Sequence, residues 1–253
     1  MADDIKTRHD TKLAPGIAPG DLTVKKAKRD PGSDIDAFVQ RTRAMQVANR
    51  AQTQRGRLIF ALDATASRQP TWDMAMQTQV EMFEEVSNLD VQLVYYRGVG
   101  ECQKSGWVSS SNRLANLMTG ITCHAGNTQI GKVLAHARDE AKAKPACKPT
   151  LIFIGDAIEG DNIDALAPIA AELGELGVKA FMFHEPHHDD DDPKVESAFR
   201  EIARLTGGAY CRFDASAPHQ LAQLLRAVAA FTVGGVKALA AKPGAVKLLE
   251  QLK

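Results

Sequence analysis

The sequence lacks most of the short motifs by which an enzyme is identified directly. Its four cysteines are widely separated and contain no Cys-x-x-Cys pair, so a thiol redox motif is not indicated. No Gly-x-Gly-x-x-Gly follows the first predicted strand, and no Walker lysine motif occurs, which argues against nucleotide binding. No Gly-x-Ser-x-Gly elbow surrounds Ser67, which argues against hydrolysis by a serine nucleophile.

Charge of one sign and long apolar segments are also missing. The chain has 31 basic and 31 acidic residues and no formal net charge. A general electrostatic attraction to nucleic acid or to an anionic membrane is therefore not expected. The Met1 end is polar, without the apolar core of a signal peptide, and no apolar run approaches membrane-spanning length. Together with the scattered cysteines, these features predict a cytoplasmic protein with reduced thiols.

Strand and helix patterns alternate along most of the chain, from Arg57 to Phe231. This alternation predicts one three-layer, doubly wound α/β domain with a mainly parallel sheet. Residues 101–108 are expected to form a short antiparallel edge strand. The predicted organisation is a disordered tail over 1–33, a helix over 34–56, the α/β domain over 57–232 and a helical extension over 233–253.

The most informative stretch is the predicted first strand and the residues that follow it. Five consecutive apolar residues, 58–62, indicate a strand buried on both faces. Asp63, Thr65 and Ser67 follow at alternate positions, and alternate residues of an extended chain point the same way. Their oxygens are thus expected to converge at the carboxyl end of the strand, where open α/β sheets bind ligands. A carboxylate with two hydroxyls suits Mg²⁺ or Mn²⁺ rather than zinc.

Two further segments are expected at the same edge of the sheet. Thr128 follows Gly126 and Asn127 at the predicted start of a helix, and Asp156 follows a strongly apolar predicted strand. In order and spacing these segments resemble the von Willebrand factor type A (VWA) family. Asp-Ala-Thr-Ala-Ser resembles its Asp-x-Ser-x-Ser motif, with Thr65 in place of the first serine. The resemblance covers roughly Arg57 to Phe231.

The resemblance implies a metal-ion-dependent adhesion site (MIDAS). Thr65 and Ser67 would coordinate a divalent ion directly, and Thr128 directly or through water. Asp63 and Asp156 would hold bound waters or the ion itself. Two carboxylates balance a charge of +2, and a carboxylate of a partner protein is expected to take the remaining position of a six-coordinate Mg²⁺. The implied function is protein binding without catalysis, and resemblance to intracellular members suggests a scaffold or a companion of an AAA+ ATPase.

A haloacid-dehalogenase-like phosphatase is the alternative of a different class. That family also places a nucleophilic aspartate after its first strand, the position of Asp63, and an acidic motif later, as in Asp156 with Asp161. Thr65 stands where its second aspartate, the general acid/base, normally lies. Phosphate release from a generic aryl phosphate discriminates the two.

The segment His184–Asp192 is rich in histidine and aspartate and contains clustered like charges. We interpret it as a solvated acidic loop before the next helix. His124, near Thr128, is interpreted as a loop histidine without a role in metal binding.

Overall fold

Six strands form a single sheet in a computed structural model that describes residues 55–158, 163–186, 192–213, 218–242 and 245–252. The predicted tail over 1–33 and nearly all of the predicted helix over 34–56 lie outside these residues. The strands are β1 (Gly56–Asp63), β2 (Leu89–Arg97), β3 (Glu101–Lys104), β4 (Thr150–Gly155), β5 (Ala180–His184) and β6 (Ala209–Arg212).

The strand order is β3-β2-β1-β4-β5-β6, so β1 lies in the middle of the sheet. Only the pairing of β2 with β3 is antiparallel among these strands, and the other pairs are parallel. The order of strands changes direction beside β1, because β2 lies on one side of it and β4 on the other. The carboxyl ends of β1, β4 and β5 therefore meet at one edge, where a doubly wound sheet binds its ligands.

Helices cover both faces of the sheet. They are α1 (Gln69–Thr78), α2 (Val80–Glu85), α3 (Ser111–Thr119), α4 (Ile130–Ala143), α5 (Ile163–Glu175), α6 (Pro193–Thr206), α7 (Pro218–Ala240) and α8 (Val246–Leu249). Leu58, Phe60 and Leu62 of β1 pack into one hydrophobic cluster, and Ile59 and Ala61 pack into another on the opposite face. The predicted strand buried on both faces, and the three-layer architecture, are confirmed.

Local signals define α6 well. The helix spans Pro193–Thr206, as its proline and glycine residues predict. Asp192 caps it by accepting a hydrogen bond of 2.9 Å from the backbone nitrogen of Lys194. Gly207 ends it in the left-handed conformation, with φ of 59°.

The helical spacing of Met74, Thr78, Met82 and Val86 predicts one apolar-faced helix over 72–88. The structure divides this segment into α1 and α2 at Gln79. The backbone nitrogen of Gln79 still donates to the carbonyl of Ala75, but its own carbonyl accepts from Met82, three residues on. This tighter turn interrupts the regular i to i+4 pattern. Met74, Thr78 and Met82 remain buried across the break, so the predicted apolar face is kept.

Among the described residues, one helix, α7, is long and apolar enough to cross a membrane by length and composition. The expectation that no apolar run approaches that length was wrong. Within the domain, Leu221, Leu225 and Val228 of α7 have no exposed surface and belong to the core cluster that contains Leu58 and Phe60. One face of α7 thus packs into the core, and 39% of its most apolar window is buried. The pair Gly234-Gly235 predicts a break in this segment, and Gly235 kinks the helix with φ of 65°.

Candidate metal centre

Asp63 is the last residue of β1 and is held firmly in place. Its side chain is 4% exposed. One carboxylate oxygen, Oδ1, accepts a hydrogen bond of 2.7 Å from the backbone nitrogen of Thr65. The other, Oδ2, accepts one of 3.0 Å from the hydroxyl of Tyr96, the residue opposite Asp63 on β2. The orientation of this carboxylate is therefore fixed from two sides.

The chain turns sharply after Thr65. Thr65 is extended, with φ of −71° and ψ of 160°, and is buried beside Asp63. Ala66–Arg68 then forms a 3-10 turn, which the backbone nitrogen of Arg68 closes by donating to the carbonyl of Thr65. Ser67 lies on this turn and is exposed. The chain is therefore extended as far as Thr65 but not at Ser67, and the convergence of the three side chains on one metal ion stays a prediction.

Asp156 follows β4, the neighbour of β1. The adjacent Gly155 lies against Asp63, because a Cβ atom added to Gly155 would be 3.7 Å from the Cβ of Asp63. Burial raises the pKa of Asp63, and the negative charge of Asp156 raises it further, whereas the hydrogen bonds from Thr65 and Tyr96 lower it. Two carboxylates are thus brought together in a poorly solvated place.

Thr128 lies on a loop that hydrogen bonds tie to the same edge. The backbone nitrogen of His124 donates to the carbonyl of Ala64, and that of Asn127 donates to the carbonyl of Gly98, both at 3.0 Å. Helix α4 begins at Ile130, two residues after the predicted start at Thr128. Thr128 is half-buried at the margin of an open cavity of about 810 Å³. The side chain of His124 is exposed, and its backbone supplies the tie to Ala64.

Two charged residues that the sequence did not predict for the site, Arg68 and Glu185, lie beside the carboxylates. Arg68 is 3% exposed, and its Nε atom lies 3.3 Å from Oδ2 of Asp156. Its Nη1 atom lies 3.0 Å from Oε2 of Glu185, which also accepts a hydrogen bond from the hydroxyl of Thr71. Glu185 is 8% exposed and comes one residue after β5, as Asp156 comes one residue after β4. That position relative to the strand was the available signal for Glu185.

The interpretation of His184–Asp192 as a solvated loop was wrong for its first two residues. His184 is 2% exposed, and its Nδ1 atom lies 3.0 Å from the hydroxyl oxygen of Tyr210. Glu185 is buried in the cluster with Arg68. His184 is the last residue of β5 and Glu185 directly follows it, so both are buried at the carboxyl end of the strand and are not solvated. Residues 187–191 lie outside the described residues.

Cys123 lies at the start of the loop over 123–129 that carries Thr128, called the threonine loop below, and is close to the same negative charge. Burial raises the pKa of its thiol to about 11, with contributions from the charges of Asp63 and Asp73. The thiol is therefore protonated at neutral pH.

The residues present fit a hard divalent cation by their chemistry. Among the described residues, no group of three or more His, Cys, Asp or Glu side chains is arranged to hold a metal ion. The predicted set needs no such group, because it consists of Asp63, Asp156 and three hydroxyl residues. A carboxylate oxygen has more than one lone pair, so Asp63 can keep its two hydrogen bonds and still accept from a metal-bound water. A cation would also relieve the repulsion between the two carboxylates.

Solved structures of von Willebrand factor type A domains are among those with this architecture, and the chain has a VWA-like α/β fold. A von Willebrand factor type A protein from Catenulispora acidiphila superposes with a TM-score of 0.57 and 18% identity. The match covers 72% of this chain and 43% of that one, so this chain spans less than half the length of that protein. The VWA domain of SpRpn10 has a TM-score of 0.53 and 10% identity, over 66% of this chain and 94% of that one. BatB from Bacteroides thetaiotaomicron has a TM-score of 0.50 and 19% identity, over 66% and 96%.

These identities establish likeness of fold alone. No protein-family model matches the chain, and no curated protein matches it. The solved structures that share its fold do not support the phosphatase alternative.

Proposed function

We propose that this protein is a divalent-metal-dependent protein-interaction module without catalytic activity. Asp63, Thr65, Ser67, Thr128 and Asp156 would hold Mg²⁺ or Mn²⁺ at the carboxyl edge of the sheet. When bound, the ion supplies an electrophilic site that accepts an acidic side chain of another protein. The observation that carries the proposal is the fixed, buried Asp63 beside Asp156 at the end of β1, within a VWA fold.

The surface next to the threonine loop supports a protein as the ligand. Val99 is 90% exposed, at the tip of the turn between β2 and β3. Gly98 and Gly100 flank it with positive φ, and their carbonyl oxygens accept hydrogen bonds from Asn127 and Lys132. These contacts hold an apolar side chain in solvent at the cavity that Thr128 lines. A partner whose acidic side chain binds the ion would cover Val99 with the residues next to that side chain.

An AAA+ ATPase is the class of partner that the resemblance to intracellular family members suggests. The sequence contains no Walker motif, so ATP hydrolysis in such a complex would come from the partner. The proposed location is the cytoplasm, and the proposed organisation is the α/β domain over 57–232 with a tail, an N-terminal helix and a C-terminal extension around it.

The test is a thermal melt in EDTA and then in excess Mg²⁺ or Mn²⁺. A ligand that binds only the folded state at one hundred times its Kd stabilises it by about 2.7 kcal/mol. For a chain of this size that corresponds to a rise in Tm of roughly 5–10 °C. We expect this rise in the wild type and its loss in Asp63→Asn, which keeps the size of the side chain and removes its charge.

Asp90→Asn is the matched control. Asp90 lies near the start of β2, at the opposite end of the sheet, where Oδ1 accepts hydrogen bonds from Arg55 and Ser109. We expect Asp90→Asn to keep the metal-dependent rise in Tm, although its Tm in EDTA will be lower. A wild type whose Tm does not respond to either metal, or a response that survives in Asp63→Asn, would contradict the proposal. We also expect no phosphate release from a generic aryl phosphate.

A further inference from the structure

Arg68 is the one basic side chain for which the described structure gives ion pairs with both Asp156 and Glu185. It comes directly after Ser67, and the 3-10 turn that exposes Ser67 turns Arg68 inward. A protein rarely buries an arginine fully unless the guanidinium is paired. Here the guanidinium joins the residues that follow two neighbouring strands, β4 and β5, since Gly155 and His184 are paired in register.

The charge count of this cluster gives Arg68 a role beyond packing. Asp63, Asp156 and Glu185 together carry three negative charges when ionised, and Arg68 carries one positive charge. Arginine stays protonated in proteins, so this positive charge is permanent. Counted over the described residues, the cluster therefore retains two negative charges, the number that one divalent cation neutralises. Without Arg68, the same cation would face three.

Arg68 acts on the cluster in two opposite ways. In the absence of a metal it compensates Asp156 and Glu185, and it stabilises the assembled edge because unpaired buried charges are costly. In the presence of a metal it repels the cation and competes with it for the Oδ2 oxygen of Asp156. The first effect favours a site that is already formed in the metal-free protein, and the second weakens the binding of the ion.

We propose that Arg68 is a positioning residue that keeps the metal-free site assembled and sets a reduced affinity for the divalent ion. The inference rests on the proposed function, because it concerns the same metal site. A reduced affinity leaves the ion exchangeable, so that occupation of the site depends on the partner carboxylate as well as on the concentration of the metal.

The test compares Arg68→Gln, Glu185→Gln and the double variant. Titration calorimetry with Mg²⁺ and Mn²⁺ measures Kd, and thermal melts in EDTA measure the stability of the metal-free protein. Both single variants should lower the Tm in EDTA, because each leaves a partner uncompensated. Their effects on Kd should have opposite signs: Arg68→Gln should tighten binding about tenfold, equivalent to about 1.4 kcal/mol, and Glu185→Gln should weaken it.

The double variant restores two net negative charges and should return Kd to within about threefold of the wild type, a difference of about 0.7 kcal/mol. Arg68→Lys keeps the charge and should also leave Kd near the wild-type value. If Arg68 and Glu185 had a purely structural role, their substitutions would lower stability without changing Kd in opposite directions. The inference is overturned if the wild type binds the metal and Arg68→Gln binds it equally or more weakly. A wild type that binds no metal overturns the proposed function itself.

Discussion

Replacing Gly126 by alanine tests whether close contact with Gly98 positions the threonine loop. A Cβ atom at residue 126 would lie 2.1 Å from the nitrogen, 2.2 Å from the oxygen and 2.5 Å from the Cα atom of Gly98. Ordinary van der Waals contact begins at 3.4 Å, and the neighbouring atoms belong to backbone that cannot rotate away. The loop that carries Thr128 must therefore move away from the turn between β2 and β3.

The expected cost follows from two terms. Overpacking of a tight contact costs about 1–3 kcal/mol. Loss of the hydrogen bond from the backbone nitrogen of Asn127 to Gly98 costs about 0.5–1.5 kcal/mol. We therefore expect Gly126→Ala to lose roughly 2–4 kcal/mol of unfolding free energy, or about 4–16 °C in Tm. Because Thr128 moves with the loop, the rise in Tm caused by Mg²⁺ should also shrink.

Gly106→Ala is the control, because a Cβ atom there meets nothing within 4 Å and residue 106 does not have a positive φ. We expect it to match the wild type within about 0.5 kcal/mol, as surface substitutions usually do. Urea unfolding in EDTA measures both variants, and melts with Mg²⁺ measure the metal response. Equal stability of Gly126→Ala and Gly106→Ala would refute the idea that this contact positions the loop.

Three other perturbations test the core and two titrating groups. Phe153→Ala should cost about 3–5 kcal/mol in urea unfolding, because Phe153 has no exposed surface; a loss below about 1 kcal/mol would contradict this. Burial and nearby charge lower the pKa of His136, so the unfolded chain binds the proton more readily and stability should fall as the pH drops below 6.5. His136→Gln should remove that dependence, and an unchanged pH profile would contradict it. Alkylation of Cys123 should be slow at about pH 8, because its thiol pKa is about 11. Asp63→Asn should accelerate it and Asp90→Asn should not.

Strands and helices could be predicted from the sequence where nearby residues determine them. The apolar run of β1 predicted a buried strand, and the proline and glycine at the ends of α6 predicted its bounds. The path of the chain after Asp63 was not predictable in this way. Extended and 3-10 conformations both suit the short residues 64–67, and the turn occurs together with the burial of Arg68, which involves residues distant in the sequence.

The charged partners of the candidate site could not be read from the sequence, because they come from distant segments. Arg68 meets Asp156 and Glu185 only after the parallel strands β4 and β5 have aligned in the sheet. Acidic residues in a run are usually solvated, and this rule misplaced Glu185. The rule failed because Glu185 directly follows β5 and is buried there, whereas residues 187–191 lie outside the described residues.

The fold and the proposed metal site depend on different residues in this domain, so a substitution can affect one without the other. Likeness to VWA structures at 10–19% identity reflects the sheet and its core, to which Phe153 and Leu58 belong. Such a core can persist while a loop or one charge at the sheet edge changes. Gly126→Ala and Arg68→Gln leave the central core unaltered and change only that edge. If both fold but differ from the wild type in metal affinity, in opposite directions, the ion-binding property belongs to the edge residues and cannot be inferred from the fold.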